Sequence, residues 1–374
     1  MLLSPFGIRV ANTTRLEFSM SAFFKHQPPR IPMNRYSPLA SYRGFAVPSE
    51  LASDSCESED SGSERQLTVE IASQYLKESD LIDLSEFTSI EDAAAEILSK
   101  HEGDLDLLEL RSLSDAAAKS LSRHNGGYLD IPRLKTLSDI AVESLRKHKG
   151  GFLSLDGLRS LSDAAAESLS KHKKGYLYLN GLTSLSEPAA QSLSKHKGRY
   201  LSFDGLKSLT DEVTEALCKH EGDLELCGLK ELSNASAESL SKHKGGYLDL
   251  EGLKTLPEAT ADRLSKHDGD LYFNGLSCLS VRAAECLSKH KGDLYLDGLK
   301  RLSDAAAKSL IKHEGDLSID FSYLPDSATD ILSEHHSFCE DDDRGSDEDS
   351  DEEDSDEEDG DLDEEDFEDS DDDE

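Results

Sequence analysis

The amino-acid sequence predicts an α/β fold: a right-handed curved solenoid of strand-turn-helix repeats with one parallel sheet on its concave side. Three observations predict it. A histidine recurs at His101, His124, His148, His172, His196, His220, His243, His267, His290 and His313, in steps of 23 or 24 residues. A fixed period of that size marks an array of stacked units. Within each period a short apolar alternation precedes an Asp-Gly or Asn-Gly pair, and an alanine-rich stretch led by serine runs on to the next histidine.

The strand comes first in each unit. Leu153, Ser154 and Leu155 alternate as a half-buried strand does. Asp156-Gly157 follows, and the same slot holds Asn180-Gly181, Asp204-Gly205, Asn274-Gly275 and Asp297-Gly298. Such pairs often close β-hairpins, but no second strand follows, so the turn carries the chain away from the sheet. The helix comes next. Ser162 suits its N-cap, with Asp163 and Glu167 in the early turns where the helix dipole favours acids. Ala165, Ala166 and Leu169 share one apolar face, and Lys171, His172 and a following glycine close the helix. Parallel strands stack ~4.8 Å apart while packed helices need about 8–10 Å. The helical side therefore splays and the strands line the inside of an arc.

Leu153, Leu155, Leu158 and Leu161, with their counterparts in each unit, resemble the leucine-rich-repeat family, most closely the short alanine-rich arrays of some bacterial proteins. The resemblance covers about residues 66–338. It implies a solenoid whose accessible strand face binds other proteins. One feature departs from the family pattern: leucine stands at Leu158, Leu182, Leu206 and Leu229, where Asn or Cys is usual. The buried asparagine ladder is thus expected to be missing, and the turn must satisfy its backbone otherwise.

Three regions follow from composition. Residues 1–65 form a basic, Ser-rich segment expected to be disordered, residues 66–338 the solenoid, and residues 339–374 a disordered acidic tail. The chain has 374 residues, 36% hydrophobic, with a formal net charge of −38. From Glu340 to Glu374 there are 26 acids against one base, Arg344, a composition too repulsive to fold. Residues 1–48 carry Arg9, Arg15, Lys25, Arg30, Arg35 and Arg43 against Glu17 alone. That pattern fits a transit segment, and equally a start at Met20 or Met33. Residues 66–77 read as an amphipathic first helix, and Leu317 to Phe321 as a degraded terminal unit.

The candidate interaction site lies on the strand face. Its first outward column reads Asp83, Asp106, Asp130, Ser154, Tyr178, Ser202, Glu225, Asp249, Tyr272, Tyr295 and Ser318. Its second reads Ser85, Leu108, Pro132, Asp156, Asn180, Asp204, Cys227, Glu251, Asn274, Asp297 and Asp320. Neither contains Lys or Arg, although bases are common elsewhere in each unit. Tyrosine in an acidic field suits a basic protein partner. An aromatic precedes the first strand leucine in the longer units, at Tyr128, Phe152, Tyr176, Tyr200 and Tyr247. These are expected to stack as a ridge along one edge, which either covers the longer loops or joins the contact.

Other chemistry is weaker. Ten histidines at one slot suggest a metal string, but the slot repeats once per unit, too far apart for shared ligation. They read better as helix-terminal residues bonded to carbonyls, and His335-His336 is no better placed. Cys56, Cys218, Cys227, Cys278, Cys286 and Cys339 form neither a disulfide framework nor a zinc pattern, which favours a reducing, cytoplasmic setting. Nucleotide, hydrolase and metalloprotease motifs are absent. Cys339-Glu340-Asp341 has the Cys-x-Asp look of bacterial leucine-rich-repeat ubiquitin ligases, but only the tail follows it. No apolar run is long enough to span a membrane. The function expected is a non-enzymatic scaffold without metal, cofactor, small-molecule substrate or nucleic-acid ligand. Two alternatives stay open: a chaperone in which the acidic tail holds basic proteins and the solenoid presents it, and a structural filler.

Overall fold

The computed structural model describes residues 65–172 and 175–338. The expectations for residues 1–64 and 339–374 lie outside the described residues.

The strands are β1 (Gln66–Leu67), β2 (Ser89–Ile90), β3 (Leu105–Asp106), β4 (Tyr128–Asp130), β5 (Phe152–Ser154), β6 (Tyr176–Tyr178), β7 (Tyr200–Ser202), β8 (Asp223–Glu225), β9 (Tyr247–Asp249), β10 (Asp270–Tyr272), β11 (Leu294–Tyr295) and β12 (Leu317–Ser318). Strands β3 to β12 form one ten-stranded sheet in sequence order. Every pairing is parallel, with register such as Leu153 opposite Leu177 and Leu177 opposite Leu201. Helices such as Asp163–Ser170 and Glu187–Leu193 return the chain between successive strands. No unit can bury its own apolar face, so each packs on its neighbours. Leu153, Leu155, Leu158, Ala165, Ala166 and Leu169 supply one unit's share of the continuous core.

The ends depart from the sequence reading. Ile82-Asp83-Leu84 alternates like a strand, yet the chain forms 3-10 turns at Ser79–Leu81 and Leu84–Glu86. The Asp83 carboxylate accepts the Ser85 N–H at 2.9 Å and closes a local turn in place of a ladder bond. Asp83 and Ser85 therefore fall off the strand columns. Strand β1 precedes the first helix, which is confined to Val69–Tyr75. It pairs with β2 just before the helix N-termini, at the position of the isolated bridge between Cys278 and Arg301. At the other end the repeat does not stop at Phe321. A 3-10 turn at Phe321–Tyr323 leads into a further helix, Asp326–Leu332.

Neighbouring units are also tied by polar ladders. Ser162 caps its helix by accepting the Ala165 N–H at 3.0 Å and donates its hydroxyl proton to Asp139 of the preceding unit at 2.7 Å. The same relay joins Ser186 to Asp163, while Ser327, inside its helix, donates to Asp304 at 2.8 Å without capping. Capping of this kind is worth ~1 kcal/mol per helix. In the turns, Asp156 Oδ1 accepts the backbone N–H of Asn180 at 2.8 Å. Asn180 accepts that of Asp204 at 2.9 Å, and Asp204 that of Cys227 at 3.1 Å. Asn274 accepts that of Asp297 at 3.0 Å. A side-chain ladder is therefore present after all. It sits two residues before Leu158 and its counterparts, where the side chain reaches the next unit's turn.

The period histidines form a buried column. Rings of successive units stack, as in His124 on His148 at 5.4 Å between centroids and His290 on His313 at 6.1 Å. Some bond to carbonyls, but to those of the preceding unit: His172 Nδ1 lies 3.1 Å from Arg146 O and His243 Nδ1 3.2 Å from Cys218 O. Arg146 and Cys218 are the C-caps of the preceding helices. His335 extends the column, stacked on His313 at 6.2 Å and bonded to its carbonyl at 3.0 Å. The column also explains the glycine two residues after most of these histidines. A Cβ at Gly198 would lie 2.1 Å from His196 Nε2 and 2.5 Å from Gly175 O. Gly175 itself has a φ of 76°, where a side chain is disfavoured.

Candidate functional site

The strand face presents three outward columns, since alternate residues of a strand point the same way. The aromatic column expected at an edge is the first of them, one pleat before the column of Tyr178. Tyr200 aligns with Asp223, and Asp270 with Tyr247, so aromatic and aspartate share this position. Where it is aspartate it caps the next strand: Asp223 Oδ1 accepts the Tyr247 N–H at 3.2 Å, and Asp270 Oδ1 the Asp293 N–H at 2.9 Å. Of the three columns, none holds a lysine or arginine.

The aromatic rings join into one spine. Tyr128 meets Phe152 at 5.5 Å between centroids, and Phe152 meets Tyr178 at 4.6 Å. Tyr200 then contacts Tyr178 at 5.1 Å, Tyr176 at 5.3 Å and Tyr247 at 6.3 Å. Tyr247 meets Tyr272 at 5.0 Å, and Tyr272 stacks face to face on Tyr295 at 4.0 Å. The ridge and the concave tyrosines, expected as separate features, are thus continuous from β4 to β11.

Burial sorts the members of this spine. Tyr178 is 5% exposed and Tyr200 6%. Both serve packing more than contact, which corrects the placing of Tyr178 among partner-binding residues. The Tyr200 hydroxyl donates to Glu225, and the Ser202 hydroxyl lies 2.6 Å from both Glu225 and Asn180 Oδ1. Tyr247, Tyr272 and Tyr295 remain partly exposed.

The acids beside them are crowded; Asp223 pairs with Arg199 at 3.6 Å. Burial, then the nearby Glu225 carboxylate, pushes Asp249 up to about 7. Burial, Glu225 and Asp249 together push Asp204 up to about 7. Asp130 rises to about 6 through burial and the charges of Asp156 and Asp106, and its Oδ1 is buried without a donor. Asp156, Asn180, Asp204 and Asn274, expected to meet a partner, have their first duty in the turn ladder. Asp297 accepts from Ser318 at 2.7 Å, and Asp249 accepts the Glu251 N–H at 2.9 Å.

No family model matches the sequence, and no curated protein matches it. Solved structures do. An internalin of Listeria monocytogenes matches at a TM-score of 0.41 and 16% identity, over 68% of this chain and 74% of its own. The Toll receptor of Drosophila, in complex with Spatzle, matches at 0.43 and 13% identity, over 74% of this chain and 39% of its own. TLR13, solved with single-stranded RNA, matches at 0.42 and 16% identity, over 64% of this chain and 37% of its own. This chain spans well under half the length of the last two. Its own in-order parallel sheet, backed by one helix per unit, decides the architecture. The fold is a leucine-rich-repeat solenoid.

Within the solenoid, the described residues nearest to a metal-ligand set are Asp204, Glu225 and Cys227, and Cys227, Asp249 and Glu251. One donor atom from each lies within 4.8 Å of the others in its group. Burial and the surrounding carboxylates hold the Cys227 thiol protonated, which makes it a weak ligand. No other observation points to an ion there. Among the described residues, no helix is long and apolar enough to cross a membrane.

The sequence reading points to the acids and concave tyrosines as contact residues and leaves the ridge aromatics between packing and contact. The signal it missed was Asp and Asn recurring at two fixed slots, at Asp156, Asn180 and Asp204 and again at Asp104, Asp223, Asp270 and Asp293. Such recurrence in a solenoid is what inter-unit hydrogen bonding produces.

Proposed function

We propose that the chain is a non-enzymatic scaffold that binds a basic protein on its strand face. The carrying observation is the cluster of Asp204, Glu225, Asp249 and Glu251, flanked by partly exposed Tyr247, Tyr272 and Tyr295, in a face whose outward columns hold no base. Asp204 and Asp249, whose proton affinity is raised, are held in the charged state only at a cost. A lysine or arginine brought among them offsets that cost, and guanidinium also stacks on tyrosine rings. The same field repels phosphate, so nucleic acid is a poor ligand for this face. Free Cys218, Cys227, Cys278 and Cys286 fit a reducing, intracellular setting.

A synthetic arginine- and lysine-rich peptide, titrated at two salt concentrations, tests the reading. Asp249→Asn with Glu251→Gln should weaken binding and flatten its salt dependence. Deletion of residues 340–374 should leave the effect of those substitutions intact. Binding that disappears with the tail and ignores the face substitutions would transfer the function to the acidic tail, as in a chaperone for basic proteins.

A further inference from the structure

Ion pairing sets one stretch of the helix-end edge apart from the rest. The residue before each of the ten period histidines is a base, as at Lys147, Lys171, Lys195 and Lys219. Several are explained by their own helix, where an acid four residues earlier pairs with them: Lys171 with Glu167 at 2.9 Å, Lys242 with Glu238 at 3.3 Å and Lys266 with Asp262 at 3.0 Å. Two units on either side of Lys171 depart from this. In one, Gln191 stands where the acid would be and donates to Glu187 at 2.8 Å, which leaves Lys195 without a helical partner. In the other, Arg146 grips both Glu143 oxygens and Lys147 reaches that carboxylate only at 3.9 Å. The residue after the histidine adds Lys149 and Lys197, both exposed. Among the described residues, Lys149, Lys195 and Lys197 form no ion pair.

We infer that Lys147, Lys149, Lys171, Lys195 and Lys197 form a binding site for a compact anion carrying about three phosphoryl groups. The site lies on the helix-end edge and does not depend on the reading of the strand face.

Charge density and footprint select that ligand. Units stand 6.0 Å apart at this edge, measured between the rings of His172 and His196, so Lys147 and Lys195 are separated by roughly 12 Å over two steps. An extended acidic peptide turns one carboxylate toward a surface every ~6.8 Å and brings about two charges to that length. A phosphoryl group carries on the order of one to two charges, so about three of them balance the five lysines less Glu167. What flanks the patch disfavours a long polyanion. Beyond Lys197 come Glu221 and Asp223, and before Lys149 come Asn125, Asp104 and Glu102. Lysine suits the task, since its ammonium is a compact charge on a flexible stem that can follow phosphate oxygens. The surroundings allow close approach. Gly151 is exposed, with nothing within 4 Å of an added Cβ. The helix-terminal carbonyl of Arg146, which would repel an anion, is bonded to His172 Nδ1 at 3.1 Å. The net charge of −38 acts from farther away and is damped beyond ~10 Å at 0.1 M salt.

Inorganic tripolyphosphate, titrated calorimetrically into the full chain at low salt, tests this. Saturable binding of one equivalent is expected. The double variant Lys195→Glu, Lys197→Glu should weaken it about tenfold or more while keeping the wild-type melting temperature, because both side chains are exposed. Lys291→Glu, at the same slot as Lys197 in a unit outside the patch, should leave binding unchanged. So should Asp249→Asn with Glu251→Gln on the strand face. Absence of saturable binding, or equal weakening by Lys291→Glu, would overturn the site. Displacement of tripolyphosphate by polyglutamate or by single-stranded oligothymidylate at a lower concentration of charged groups would overturn the compact ligand and give the edge to a linear polyanion.

Discussion

Asn180 accepts the backbone N–H of Asp204 through Oδ1 at 2.9 Å, and Asp204 in turn accepts that of Cys227 at 3.1 Å. The bonded amides are half-buried at the end of a strand, where an unmade bond costs about 1–3 kcal/mol. Asn180→Ala is therefore expected to destabilise the solenoid by ~1–2 kcal/mol in urea unfolding. Asp204→Asn keeps the acceptor oxygen and removes a carboxyl raised to about 7. A raised carboxyl stabilises the fold while protonated and loses that contribution as pH rises through its folded value. The variant should thus be more stable than wild type at pH 8, by about 1–2 kcal/mol, with the gain vanishing near pH 4. A destabilised Asp204→Asn at pH 8 would contradict the assignment of that residue to the ladder.

The histidine column gives stability the opposite dependence on pH. Burial, with repulsion between neighbouring rings, depresses His148, His196 and His267 to about 4, and His220 and His313 likewise. The ring nitrogens of these five are buried and make no well-formed hydrogen bond. A depressed histidine contributes fully above its ordinary 6.5 and loses that contribution as pH falls toward its folded value. The raised acids Asp130, Asp204 and Asp249 gain stability over part of the same range, but they are fewer. Net proton uptake on unfolding should exceed one at pH 5.5, a slope above ~1.4 kcal/mol per pH unit. Urea unfolding between pH 7 and pH 5 measures it; stability that holds or rises on acidification would mean the rings are already charged or solvated.

Two glycines separate steric need from composition. Gly198→Ala forces a methyl against His196 Nε2 and Gly175 O and should cost at least ~2 kcal/mol. Gly151, one residue beyond the equivalent position of its own unit, has nothing within 4 Å of an added Cβ. Gly151→Ala should be neutral or stabilising by about 0.4–1 kcal/mol through the unfolded chain. Thermal denaturation of the pair checks the contrast.

Tyr272 and Tyr178 should also diverge. Tyr272 is partly exposed and stacked on Tyr295, whereas Tyr178 is 5% exposed between Phe152 and Tyr200. Tyr272→Ala should weaken a basic peptide by ~1–2 kcal/mol with a small change in melting temperature. Tyr178→Ala should instead lower stability by about 3 kcal/mol, as truncation of a buried aromatic does. Calorimetric titration and melting curves on both variants distinguish them; equal loss of binding with no loss of stability at Tyr178 would place it back on the contact surface.

Much of the fold was legible because period, alternation and capping are local. The spacing of His148, His172 and His196, the Leu153-Ser154-Leu155 alternation and the Ser162 cap each report a backbone state within one unit, and repetition multiplies the signal. At the first unit the same alternation misled, since Ile82-Asp83-Leu84 met the turn chemistry of Asp83. What any outward side chain does was not legible, because its partner lies in the next unit, 20 or more residues away. Sequence alone placed Asp156, Asn180 and Asp204 on the strand face; only stacking decided that their oxygens meet the next turn's N–H before they meet a partner. Sequence alone separated Tyr200 from Tyr272 as edge and face. The parallel register brought both into one spine and buried the first, because units ~4.8 Å apart leave rings of that size no room to stay independent.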